Sequence, residues 1–319
     1  MSVSTAIKLP GTAINDCTAS RNFAHAFARR GSDTEIEGCK RLTEFAFSQV
    51  DVFTAQPLRG NPLAVVVGAD ALTDAQMAAL ANWTNLSETT FLLRPTNPLA
   101  DYRVRIFTPY SELPFAGHPT LGSCHVWLTR GGAPKGDEVV QECKIGLVRI
   151  RRGPGRLSFA APKMLRSGPP EADIMARAVK GLGLVPDAVI ASSWVDNGPG
   201  WLGLLLRSRD EVLAARPDYM VLSGLSVGVV GPWDRTKDGQ DAQFEVRAFA
   251  GGGYEDPVTG SLNASLAQWL IGTAVAPPNY VASQGTALGR MGRVHVEQDG
   301  SEIWIGGAVT TCIAGTLTL

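Results

Sequence analysis

From residue 44 onward, short apolar runs alternate with turn residues, and the pattern is written twice. "VDVFTAQPLRGNPLAVVV" (50–67) predicts a strand, a Gly/Asn/Pro turn and a buried strand; "SWVDNGPGWLGLLL" (193–206) predicts the same. Each is followed by a helical stretch, "DAQMAALANWT" or "RDEVLAARPDY", and then by another strand. "VRIF" (104–107) recurs as "VRAF" (246–249), and each leads through a loop to "HPTLGSCHVWL" (118–128) or "DPVTGSLNASL" (256–266). Pro with Ser close behind marks a helix start. The helices that follow are apolar almost all round, so they belong inside a domain. Alternating hairpins, 147–162 and 293–309, close each copy.

The fold class expected is therefore α/β (α+β). It has two similar domains, 44–163 and 164–319, each a curled, mostly antiparallel sheet around a central helix. Residues 104–128 and 246–266 should form strand, loop and buried helix in two separate domains. The crevice between domains is the expected ligand site. In the repeat frame His118 stands opposite Asp256, and Ser123 opposite Ser261. "LSETTFL" (86–92) faces "LSVGVVG" (225–231), which sets Glu88 opposite Val227. The scaffold repeats and the carboxylate does not, which argues against a packing role for Glu88. A carboxylate at the mouth of an apolar strand is costly unless paired or protonated, and burial raises its pKa towards that of a proton-transfer group.

Composition narrows the function classes. A net charge of −1 leaves no basic field for nucleic acid or an anionic membrane. No apolar run approaches the ~20 residues of a membrane helix. Five cysteines without CxxC spacing predict reduced thiols in a cytoplasmic protein, and Cys124 falls in an apolar helix. Four scattered histidines offer no metal set, and "GGG" (251–253) has no lysine in P-loop spacing, so no cofactor or metal is expected. Residues 1–43 lack sustained periodicity and are expected to be a mobile extension, dispensable for stability.

"VDVFTAQPLRGNPLAVV", "NLSETTF", "FAGHPTLGS" and "YEDPVTGS" occur in the order and at roughly the separations of the PhzF family of phenazine-biosynthesis proteins, which the chain resembles over 44–319. The resemblance implies a diaminopimelate-epimerase-like fold and a cofactor-independent isomerase, commonly a homodimer. It makes Glu88 the acid/base, and His118, Asp256 and Ser261 substrate contacts. The epimerases of this fold use two thiols, and neither position resembles a cysteine here. Where many members have "GSAHG", this chain has "GSLNA" (260–264).

Three readings stand side by side. The first is a one-base isomerase acting on a small carboxylated substrate, with Glu88 as shuttle. The substrate carboxylate would sit at the helix start formed by Gly260 and Ser261, with Gly117 allowing close backbone approach. The second is a two-base epimerase using Glu88 and Asp256. The third is a metabolite-binding protein without catalysis, for which an acid/base has no use. Asp256 as a plain N-cap and His118 as a core histidine are the structural alternatives for those residues.

Overall fold

The computed structural model describes residues 42–319, and Thr43–Leu319 form one compact unit. The expected N-terminal extension lies outside the described residues. The first half runs β1 (Glu44–Val52), β2 (Asn61–Val67), α1 (Asp74–Thr84), β3 (Thr89–Leu93), β4 (Tyr102–Phe107), β5 (Glu112–Leu113), α2 (Gly117–Thr129), β6 (Val139–Cys143), β7 (Gly146–Gly153) and β8 (Arg156–Ala160). After β9 (Arg166–Gly168) and α3 (Ala172–Gly181), the second half repeats this order. It runs β10 (Val189–Asp196), β11 (Trp201–Leu206), α4 (Arg209–Ala214), α5 (Tyr219–Leu222), β12 (Ser226–Pro232), β13 (Phe244–Ala250) and β14 (Tyr254–Asp256). It continues through α6 (Gly260–Gly272), β15 (Asn279–Gln284), β16 (Gly292–Asp299), β17 (Glu302–Gly307) and β18 (Val309–Thr318).

The strand pairings duplicate one for one. β1–β2 is antiparallel, β2–β3 parallel, β3–β4 and β4–β5 antiparallel, and β4–β6 parallel. β10–β11, β11–β12, β12–β13, β13–β14 and β13–β15 repeat those five directions in order. Pairing of β8 with β17 joins the halves into one continuous sheet. β18 follows the second half in sequence yet pairs with β1 along its whole length.

Both central helices are buried, as their all-round apolar composition requires. They do not, however, sit in separate cores. One continuous apolar cluster takes Leu121, Cys124 and Val126 from α2 and Leu262, Leu266 and Leu270 from α6. A satellite cluster lies under α1, with Met77 and Leu80 on Phe91 and Phe107. Another, under α3 and α4, gathers Leu182, Val212 and Phe249.

The sheet register corrects the sequence frame at two points. Phe107 pairs with Thr89 and Phe249 with Val227, so the counterpart of Glu88 is Ser226, one residue from the expected Val227. Ser226 Oγ accepts from the Gly251 N–H at 3.2 Å, a structural bond. The helices begin at Gly117 and Gly260, which makes His118, and not Ser123, the counterpart of Ser261. "HP" lies inside the first turn of α2, whereas "DP" precedes α6 by three residues, because Pro is tolerated in both places. Ser123 is buried and donates to Thr90 Oγ1 at 2.9 Å.

Candidate active site

Glu88 is placed by the turn between α1 and β3. A capping box between Thr73 and Gln76 starts α1, and Asn85 ends it in the left-handed conformation at φ 54°. Thr84 and Thr89 hydroxyls meet at 2.9 Å and close the turn beneath Glu88. β3 then runs fully buried between β2 and β4. The carboxylate is carried inward with it: its side chain is 12% exposed and that of His118 is 4% exposed, with Oε2 and Nε2 3.2 Å apart.

His118 is the second residue of α2. Its Nδ1 faces the amide nitrogen of Asn61 at 3.4 Å. An NH2 group offers Nδ1 no acceptor, so the ring proton belongs on Nε2. Burial pushes the imidazole pKa down to about 3, so the ring is neutral. Burial first, and then the charge of Asp256, hold the Glu88 carboxyl well above the ordinary range.

Asp256 closes the far side. Its Oδ1 accepts from Asn61 Nδ2 at 2.7 Å and its Oδ2 from Thr259 Oγ1 at 2.7 Å. Burial raises its pKa, opposed by hydrogen bonds from Thr259, Asn61 and the Val258 N–H. It does not cap α6: the N-cap is Thr259, which gives the helix no side-chain cap bond. Behind it Gln284 donates to the Asp256 carbonyl at 3.1 Å and to Thr259 Oγ1 at 2.9 Å. Asn263, one of three departures in "GSLNA", donates to Gln284 Oε1 at 2.8 Å and supports the same network.

Asn61 joins His118 to Asp256, and His118 in turn touches Glu88. Gly117 and Gly260 meet beside them. A Cβ built on either glycine would lie 2.9 Å from the other's Cα, so the two helix N-termini abut as only glycine allows. Neither helix carries a side-chain cap, and two positive dipole ends converge there. Ser261 Oγ accepts from Trp201 Nε1 at 3.2 Å. Two surface concavities, about 420 and about 270 Å³, share His295 and include none of these residues. Asn61, Thr259 and Gln284 were not predicted. "GNP" reads as a turn and "DPVTGS" as a helix start, and an amide that binds across the halves leaves no periodic trace.

The duplicated strand pairings match the epimerase-like α+β fold of solved structures, and relatives named as isomerases place the chain among isomerases. The chain belongs to the PhzC-PhzF family of phenazine biosynthesis-like proteins, whose model matches residues 50–315. A Schizosaccharomyces pombe relative, antisense-enhancing sequence 1, is 37% identical over 86% of this chain and 99% of its own. The trans-2,3-dihydro-3-hydroxyanthranilate isomerase of Pseudomonas fluorescens is 31% identical over 85% of this chain and 98% of its own. A crystal structure of an Enterococcus faecalis PhzF-family protein matches 87% of this chain and all of its own, at TM-score 0.73 and 24% identity. Among the described residues, no helix is long and apolar enough to cross a membrane.

Proposed function

We propose that the chain moves a proton on a small carboxylated substrate without a cofactor, and that Glu88 both takes the proton from carbon and returns it elsewhere. The observation that carries this is the buried Glu88–His118 contact. Oε2 and Nε2 are close, yet neither atom is in hydrogen-bonding geometry with any protein group. Buried polar atoms are nearly always partnered, and a facing pair that is not, one of them a carboxyl of raised pKa, suits contact with a substrate. A carboxyl held above its ordinary range has the basicity to accept a carbon-bound proton and, once protonated, to give it back. The neutral His118 N–H faces the same space as a donor to substrate.

The abutting starts of α2 and α6, with the Gly117, Gly260 and Ser261 amides, suit a substrate carboxylate. Asp256 orients the substrate from the opposite side. The two-base alternative is less well supported, because both Asp256 oxygens already accept hydrogen bonds while Glu88 Oε2 accepts none. The resemblance to the family adds a homodimer in the cytoplasm to the proposal; sedimentation of the purified chain tests the dimer.

The Pseudomonas fluorescens relative is named for trans-2,3-dihydro-3-hydroxyanthranilate, which makes that compound the first probe. With the transferred position deuterated and the reaction run in H2O, a single shuttle carries part of the label into product. Complete loss of label at the first turnover would favour two bases. No conversion of this probe or of a panel of cyclic and amino-acid carboxylates would remove the isomerase reading of the site.

A further inference from the structure

β14 carries a side chain that the acid/base cluster does not use. Tyr254 opens the strand two residues before Asp256. Side chains two apart on a strand share a face, roughly 7 Å apart, so Tyr254 stands on the Asp256 side. Glu255 between them points the other way and meets the buried Arg247 at 2.9 Å. The β13–β14 register fixes this alternation, with Ala248 opposite Asp256 and Ala250 opposite Tyr254.

Tyr254 is nevertheless 47% exposed, so its ring stands where the buried acids give way to solvent. The ring lies along Gly252, where an added Cβ would come within 3.5 Å of it. The matching β4–β5 hairpin of the first half carries Tyr110, an aromatic that is 88% exposed. Burial pushes the Tyr254 hydroxyl pKa up, and the charges of Asp256, Glu88 and Tyr110 push it the same way. An exposed aromatic held at the rim of a buried polar cluster has a face available for a ligand's body.

We propose that the Tyr254 ring is a specificity-determining wall of the Glu88 site, against which the body of the substrate lies. It selects flat, π-bearing carboxylates over puckered ones of the same charge. The inference rests on the Glu88 reading of the site, since it needs the substrate to lie between β14 and β3. A flat ring meets the aromatic face in offset stacking, while a saturated ring touches it at a few hydrogens only.

The test uses two probes that are both monoanions at neutral pH, anthranilate and cis-2-hydroxycyclohexanecarboxylate, titrated calorimetrically into the full chain, Y254F and Y254L. The wild type should bind anthranilate the more tightly. Y254F should keep that preference. Y254L should weaken anthranilate about tenfold, the upper range for one aromatic pair, and leave the saturated probe nearly unchanged. A purely structural role would weaken both probes together. Y254M repeats the measurement with an unbranched side chain should Y254L fold poorly. An unchanged ratio of affinities in Y254L and Y254M, or no binding of anthranilate by the wild type, overturns the inference. The Glu88 reading fails separately: it would show as undiminished proton exchange in Glu88→Gln, a result that leaves the affinity ratio untouched.

Discussion

Glu88 and His118 make contact, and burial moves them in opposite directions. The folded pKa of His118 is depressed to about 3, against ~6.5 when unfolded. Its neutral form therefore contributes stability that is complete above pH ~6.5 and is lost as pH falls towards 3. Glu88 is raised, so its contribution is complete below ~4.3 and is lost as pH rises through the folded pKa. His118→Gln removes the first effect and keeps the second. Calorimetric Tm values of variant and wild type, taken stepwise from pH 7.5 to 4, should converge or cross in the variant's favour as pH falls below 6.5. A constant Tm difference across that range would mean that His118 titrates alike in the folded and unfolded chain. Glu88 stood out because the second half does not repeat it and because "NLSETTF" resembles the family motif. Asn61 did not, because its partners lie 57 and 195 residues away.

At the scale of elements the duplication extends to ion pairs. Arg105 of β4 holds Glu112 of β5 at 2.8 Å, and Arg247 of β13 holds Glu255 of β14 at 2.9 Å. Each arginine also lies over the phenylalanine two residues on, Phe107 or Phe249. The settings differ. Arg247 and Glu255 are 5% and 8% exposed, whereas Glu112 is also paired with Lys144 and Arg105 with the exposed Asp74. Breaking a buried pair leaves an uncompensated charge, so Arg247→Met should cost roughly 3–5 kcal/mol in urea unfolding. Arg105→Met should cost about 1 kcal/mol or less, because its partner keeps Lys144 and partial access to water. Equal losses would show that the two hairpins are held alike. The strands and apolar helices of both halves were legible because periods of two and all-round apolar runs survive in sequence. The helix starts were misaligned because "HPTLGS" and "DPVTGS" match as letters while the backbone matches Gly117 to Gly260. α3 had no counterpart to reveal it.

Across the whole molecule, the division into an extension and two domains, 44–163 and 164–319, is proposed on the repeat of strand pairings. The halves are nonetheless interlocked. β8 pairs with β17, β18 returns to β1, and the Met291 and Arg293 N–H groups donate to the Arg59 and Phe53 carbonyls. This return of β18 was invisible in sequence, since "VTTCIAGTLT" pairs equally well with any edge. One cooperative calorimetric transition is expected, with van't Hoff and calorimetric enthalpies in agreement; two resolved transitions would show halves that unfold independently.

The central claim is that a proton on the substrate passes through Glu88. Glu88→Gln keeps the side chain's shape and its place beside His118 but removes the base. The most direct measurement is proton exchange at carbon on a bound, convertible probe, followed by NMR in D2O for wild type and variant side by side. General acid–base catalysis is worth roughly 10²–10⁴-fold, so exchange should fall at least ~100-fold while probe affinity changes far less. Exchange at the wild-type rate in Glu88→Gln would contradict the account and leave Glu88 as a buried carboxylate at a strand end.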